Sequence, residues 1–293
     1  MLAVATVIAV SSCVVAFAIT GFVEPPSDGV DDDPGFAIVA TIGNSLLTQA
    51  LFMLRYVFVF TVMLAQSAFA GDANQLTPVL AKPGKVHLQM DFEKDFVVGK
   101  DHKFFKVGQG TRWQAKNGML VGNESSPEYQ AKKKKTGKGH LGTAPRLQFP
   151  NSPKDVILKY SFKITGGEKT KLLPMIESGH HLRRVYFGQQ GAKILVEHEE
   201  TTIAENDFVL KTDTWYHVML EIKDNEFLVR FQDGPTLYGN HVGVGAEFAN
   251  YNIGITATNK GIMHIDNMTI WHAGEVQETW PTKKQAIITK SSR

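Results

Sequence analysis

From residue 71 onward the apolar residues recur at every second position, and no stripe of helical period competes with them. Val156, Leu158, Tyr160, Phe162 and Ile164 alternate with Ile157, Lys159, Ser161 and Lys163. Tyr216, Val218, Leu220 and Ile222 alternate with Trp215, His217, Met219 and Glu221. Phe227, Val229 and Phe231 alternate with Leu228, Arg230 and Gln232. By the same count Ile262, His264, Asp266, Met268 and Ile270 share one face of a further strand. Such alternation is what a strand needs to bury one face and wet the other. Shorter candidates are residues 182–187, 192–198 and 252–256.

Turn chemistry separates the runs. Lys223-Asp224-Asn225-Glu226 and Gly188-Gln189-Gln190-Gly191 read as hairpins, and Gly166-Gly167, Asn117-Gly118 and Asp233-Gly234-Pro235 as chain breaks. Many short strands without crossover helices predict an all-β fold, an antiparallel two-sheet sandwich or barrel, over residues 71–276. A composition of 43% hydrophobic and 20% charged residues excludes a disordered or collagen-like chain. A domain of this size buries roughly 70% of its unfolded surface and needs no disulfide. None is available, because the only cysteine, Cys13, precedes it; intramolecular disulfides, thiol catalysis and cysteine-based zinc sites are excluded.

The first seventy residues differ in kind. They hold one basic residue, Arg55, and five acidic ones; removing these from the chain's 31 and 29 leaves the remainder with 30 against 24, about +6. Met53-Leu54-Arg55, an apolar run from Val57 to Leu64 and Ala68-Phe69-Ala70 form the three-part pattern of a secretory signal peptide. Residues 53–70 are therefore expected to be cleaved after Ala70, and residues 1–52 to be an upstream over-extension of the reading frame. The other reading is a membrane anchor. The uncharged stretch 2–23 is long enough, but no Lys or Arg flanks it to orient it. Either way the domain is exported, to the periplasm, cell surface or medium, and meets a membrane only through an uncleaved N-terminus.

Residues 125–142, with Lys132-Lys133-Lys134-Lys135, read as a long exposed loop. Its lysines are expected to be a solvated face, with an acidic polysaccharide as the functional alternative. Nucleic acid is not expected, because no aromatic platform interleaves them. Residues 277–293 read as a loose tail.

Trp113-Gln114-Ala115-Lys116-Asn117-Gly118-Met119-Leu120 resembles the early strand-turn-strand of concanavalin A-like jelly rolls. Trp215-Tyr216-His217-Val218 followed by Phe227-Leu228-Val229-Arg230-Phe231-Gln232-Asp233-Gly234 resembles their paired strands. His264-Ile265-Asp266-Asn267-Met268-Thr269-Ile270 resembles their closing strand. In this order the motifs, across roughly residues 86–273, are most similar to the 3-keto-disaccharide hydrolase domain family. The resemblance implies a jelly-roll sandwich and a secreted protein associated with carbohydrate; fold alone does not fix an activity. One departure matters. The Glu-x-Asp-x-x-Glu strand of family-16 glucanases on this fold, which aligns carboxylates on one face, is missing, and Glu197-His198-Glu199-Glu200 has the wrong spacing.

The densest polar segment is Glu177-Ser178-Gly179-His180-His181-Leu182-Arg183-Arg184-Val185-Tyr186. The resemblance implies that this strand lines the open face of the sandwich. Glu177 and His181 are the candidate acid/base groups, with Arg183 gripping oxygens beside them; the alternative, and the preferred one, is an exposed hairpin whose charges only solubilise it. Arg184, Tyr186, Trp215, His217, Glu221 and Arg230 are candidate ligand contacts. His217, Glu221 and Arg230 oppose the apolar faces of their strands, so they form either a sugar platform with Trp215 or a structural cross-strand Glu–Arg pair. Asp91, Glu93 and Asp266 meet if the first and last strands pair, and would suit a structural calcium ion, the one cofactor considered; turn capping is the alternative. Trp113 and Trp271 read as core or rim aromatics. Two functions remain open. One is a glycan-binding protein, preferred because no complete catalytic constellation is legible. The other is a hydrolase of the 3-keto-disaccharide type, with a structural envelope protein third. Oligomeric state is not indicated.

Overall fold

The computed structural model describes residues 74–100, 104–170, 172–179, 182–196 and 201–291. The chain divides into the units Met1–Ala70 and Gly71–Arg293, and every described residue belongs to the second. The signal-peptide pattern, residues 1–52, Cys13, His180, His181 and the tetrad 197–200 lie outside the described residues.

The strands are β1 (Ala81–Met90), β2 (Phe96–Val97), β3 (Lys106–Val107), β4 (Arg112–Lys116), β5 (Met119–Asn123), β6 (Arg146–Phe149), β7 (Val156–Glu168) and β8 (Met175–Ser178). They continue with β9 (Arg183–Tyr186), β10 (Ala192–Val196), β11 (Thr201–Asn206), β12 (Tyr216–Lys223), β13 (Glu226–Phe231), β14 (Thr236–Asn240), β15 (Ile253–Thr256) and β16 (Asn259–Val276). A nine-stranded sheet runs β14-β13-β12-β7-β16-β5-β4-β2, with β1 also paired to β16; a seven-stranded sheet runs β11-β10-β9-β8-β15-β6-β3. The pairings are antiparallel and the two sheets enclose one apolar core: the alternation's sandwich-or-barrel expectation resolves as a sandwich, of the jelly-roll kind the resemblance implied.

The core faces are those the alternation predicts on β7, β12 and β13: residues 156 to 164, 218 to 222 and 227 to 231 at every second position lie in the main cluster. On β16 the count fails. Met263 and Ile265 face inward, and so do Met268 and Ile270, with Ile262, His264 and Asp266 on the other face. A bulge between Asp266 and Thr269, where Asn267 turns to φ 49°, inserts the residue that reverses the parity. Gly166 and Gly167 do not end β7, which runs on to Glu168 against Asn259.

Two segments expected to be irregular are helical. The lysine run lies on α1 (Pro127–Thr136). Ser126 caps it by accepting the Tyr129 N–H, Pro127 opens it, Glu128 sits in the first turn, and Gly137 closes it in the left-handed region at φ 60°. Three lysines in the last turn face the negative end of the helix dipole. The expected loose tail contains α2 (Trp280–Ser291). Trp280 is buried, donates its indole N–H to Glu226 Oε2 at 2.8 Å and packs edge-on against Tyr238.

Helix α2 and residues 76–81 add a third layer over the outer face of the nine-stranded sheet. There Leu80, Ala81, Ile157, Met219, Leu228 and Trp280 form a second buried cluster.

Candidate functional site

Strand alternation sends the residues next to the core positions outward from the seven-stranded sheet. Register then lines them up in two rungs. One reads Arg146–Thr256–Met175–Tyr186–Lys193–Glu205 across β6, β15, β8, β9, β10 and β11. The other reads Lys106–Gln148–Gly254–Glu177–Arg184–Leu195 across β3, β6, β15, β8, β9 and β10. Glu177 points out of the sandwich yet is only 2% exposed, and Arg146 only 8%. The charges are therefore screened from solvent by the side chains around them, and this screened patch is called the recess.

Two glycines make the room. A side chain on Gly254 would lie 2.8 Å from Glu177 Cγ, and one on Gly108 would lie 3.0 Å from the aliphatic stem of Arg146. Arg146 Nη2 donates to Glu177 Oε1, Arg184 Nε stands 4.0 Å from Oε2, and Arg184 Nη1 donates to the Tyr186 hydroxyl. Beside Arg146 on the same rung, the Thr256 hydroxyl is buried and has no hydrogen-bond partner among the described residues. Glu177, Arg184 and Tyr186 are thus brought together. Arg146 and Thr256 complete the group, and the sequence reading missed both. Their signal was weak: each lies at an outward position on a short strand that only pairing reveals.

Arg183 does not join them. Its parity is that of Val185, so it faces inward at one end of the sandwich, where it is fully buried. Its guanidinium donates to the carbonyls of Lys154 and Val244 and to the Ser178 hydroxyl, and stacks over the Tyr251 ring at 5.1 Å. Burial pulls its pKa down to about 10. It ties loops together rather than facing the recess.

His217, Glu221 and Arg230 belong to the other sheet, and Trp215 immediately precedes its strand β12. His217 Nδ1 shares a hydrogen bond with Ser161 Oγ at 2.7 Å, and burial lowers its pKa. Lys163 lies over the Trp215 ring. Glu221 is fully buried beneath residues 79–81. Its carboxylate accepts the backbone N–H groups of Val79, Leu80 and Ala81 and the Arg230 guanidinium at 3.0 Å. Arg230 also donates to the Thr77 carbonyl. The structural Glu–Arg pair is what forms, and it clamps a strap of chain. Trp113 is a core residue resting on Gly122, and Trp271 packs into the second cluster.

The first and last strands do pair, β1 on β16. Asp266 is pushed up to about 6 by burial, with the nearby Glu93 and Asp91 charges adding to it. Its Oδ1 accepts the Asn267 N–H at 2.7 Å, and Asp91 Oδ1 accepts the Glu93 N–H at 3.2 Å, both turn-capping bonds. Among the described residues no group of three His, Cys, Asp or Glu side chains is arranged to hold a metal ion.

A separate cavity of about 400 Å³ opens among Ile164, Thr170, Leu173, Phe187, Val209 and Leu210. None of the recess residues lines it.

No protein-family model matches the chain, and no curated protein matches its sequence. Solved structures do resemble it. A protein of unknown function with a galectin-like fold from Bacillus subtilis superposes with a TM-score of 0.46 at 10% identity, over 67% of this chain and 100% of that one. SCLam, a non-specific endo-β-1,3(4)-glucanase from family GH16, gives 0.44 at 9% identity, over 68% and 98%. A sialidase gives 0.43 at 11% identity over 65% of this chain, which spans only 19% of the sialidase. Likenesses this distant carry no functional argument; the jelly-roll assignment rests on the chain's own strand order.

Proposed function

We propose that this chain is an exported glycan-binding protein whose site is the recess around Glu177 on the outer face of the seven-stranded sheet. One observation carries the reading. An outward-facing sheet position holds a 2% exposed carboxylate hydrogen-bonded to Arg146, beside a buried Thr256 hydroxyl that has no described partner. A buried polar group left without a partner costs about 1–3 kcal/mol. A ligand hydroxyl would remove that cost. Arginine donors, a carboxylate acceptor and hydroxyls match the ring of hydroxyls on a sugar. The signal-peptide pattern ahead of Gly71 supports export.

Binding is preferred over hydrolysis for a geometric reason. Two-carboxylate hydrolysis needs its acids about 5–9.5 Å apart. On the two rungs, the other described carboxylate is Glu205, three strands from Glu177, or about 14 Å at 4.8 Å per strand. It pairs with Lys193 at 2.9 Å.

The test is a panel of polysaccharides and 3-keto-glycosides, followed by thermal shift and released sugar together, with Thr256→Val as the probe. A glycan-induced shift that Thr256→Val weakens, in a variant at least as stable as the parent without glycan, supports the reading. Released product would replace binding with hydrolysis. No shift with any glycan would refute it.

A further inference from the structure

The recess sits beside an unusual helix. Five lysines, Lys132, Lys133, Lys134, Lys135 and Lys138, fall within seven residues on and just after α1, and α1 buries no residue of its own. Its anchor is Tyr129, whose ring lies where a side chain on Gly110 would be, 2.6 Å away. The loop that holds Tyr129 also holds Arg146. Gly108 N–H donates to the Arg146 carbonyl, Thr111 Oγ1 donates to that carbonyl and accepts the Arg146 N–H, and Gly108 leaves space for the Arg146 stem. The cationic helix is therefore one loop away from the Arg146 end of the recess.

Arg146 gives one nitrogen, Nη2, to Glu177. Next to it on the rung stands the Thr256 hydroxyl, buried and without a described partner. A guanidinium edge beside a hydroxyl is a donor set suited to a carboxylate. Lysines on an exposed helix act as point charges that suit repeated anionic groups rather than one fixed ligand.

Resting on the glycan reading above, we infer that the ligand is a polyuronate, a polysaccharide with a carboxylate on successive sugars. One uronate carboxylate takes Arg146 and Thr256 at the end of the recess, and further carboxylates along the chain meet the lysines of α1.

The experiment is calorimetric titration of the purified protein with oligogalacturonate and with alginate oligomers, each beside its carboxyl-reduced, neutral counterpart, at low and high salt. The acidic forms should bind at least about tenfold more tightly than the reduced forms, the loss expected for one charge-assisted hydrogen bond. Their affinity should fall with salt. Replacing Lys132, Lys133, Lys134 and Lys135 together with Gln should flatten that salt dependence while the sandwich stays folded, since α1 contributes no residue to the core. Arg146→Met alone would strand the Glu177 charge. The paired variant Arg146→Met with Glu177→Gln avoids this and should erase the preference for the acidic form. Equal affinity for acidic and reduced forms would overturn the inference, as would an unchanged salt slope in the lysine variant. Binding of a neutral glucan or 3-keto-glycoside without any uronate overturns the polyuronate and leaves the glycan site standing. Binding of no glycan at all removes both.

Discussion

Replacing Glu221 with Gln should be among the most damaging conservative changes in this domain. The carboxylate is fully buried and receives the N–H groups of Val79, Leu80 and Ala81 and the Arg230 guanidinium, each within 3.3 Å. Glutamine keeps the shape but turns one acceptor oxygen into an NH₂ group that faces donors. It also leaves Arg230, 15% exposed, without its charge partner. Hydrogen bonds to a charged group contribute about 1.5–3 kcal/mol each, and breaking a buried ion pair from one side costs about 3–5 kcal/mol. These overlap, so the loss is about 3–5 kcal/mol in total. At about 2–4 °C per kcal/mol for a domain of this size, Tm should fall by about 10 °C. Differential scanning calorimetry measures that fall. Limited proteolysis should show early cutting within residues 74–81, because the strap loses its clamp before the sandwich melts. A Tm within about 2 °C of the parent, less than 1 kcal/mol on the same scale, would refute the claim that Glu221 holds the strap down.

Asp266→Asn should stabilise the protein at pH 8 by about 1 kcal/mol, allowing for solvent screening of a half-buried group, and have little effect at pH 4. The folded pKa of about 6 exceeds the unfolded value, so the folded state binds more protons between pH 4 and 6 and stability falls as pH rises through that window. Urea titrations at the two pH values decide it, and equal effects at both would sink the assignment. Gly254→Ala should leave the sandwich folded but displace the Glu177 side chain, since the new methyl lies 2.8 Å from its Cγ and Oε1. Glycan affinity unchanged by this substitution would take the recess out of the binding site. Trp280→Ala should cost about 3–5 kcal/mol by opening a cavity in the second buried cluster. A melting curve like the parent's would show that α2 is dispensable.

The sandwich was legible in the alternation because burial on one face of a strand writes a two-residue period directly into the sequence. β7, β12 and β13 appear with the correct residues inward for that reason. β16 shows the limit: one bulge at Asp266–Thr269 reverses the parity, and nothing in Asp266-Asn267-Met268 announces it beyond an asparagine able to take a positive φ. Helix α1 carried its own signal, Ser126-Pro127-Glu128 with Gly137 after it, outweighed in the reading by the lysine run. The third layer was also written faintly. Ile157, Met219 and Leu228 are apolar at positions the alternation assigns to solvent, so those strands are apolar on both faces where the strap and α2 cover them.

Pairing decided the rest. Glu177, Arg184 and Tyr186 are close in sequence and could be proposed together. Arg146 and Thr256 come from strands 31 and 79 residues away from Glu177 and join it only through the register of β6, β15 and β8. Arg183 and Arg184 are adjacent in the chain yet serve opposite faces, because consecutive side chains of a strand point apart. Residue type and spacing determine which faces are apolar. Which charges meet across a sheet depends on strand order, a property of contacts between distant segments that no local pattern encodes.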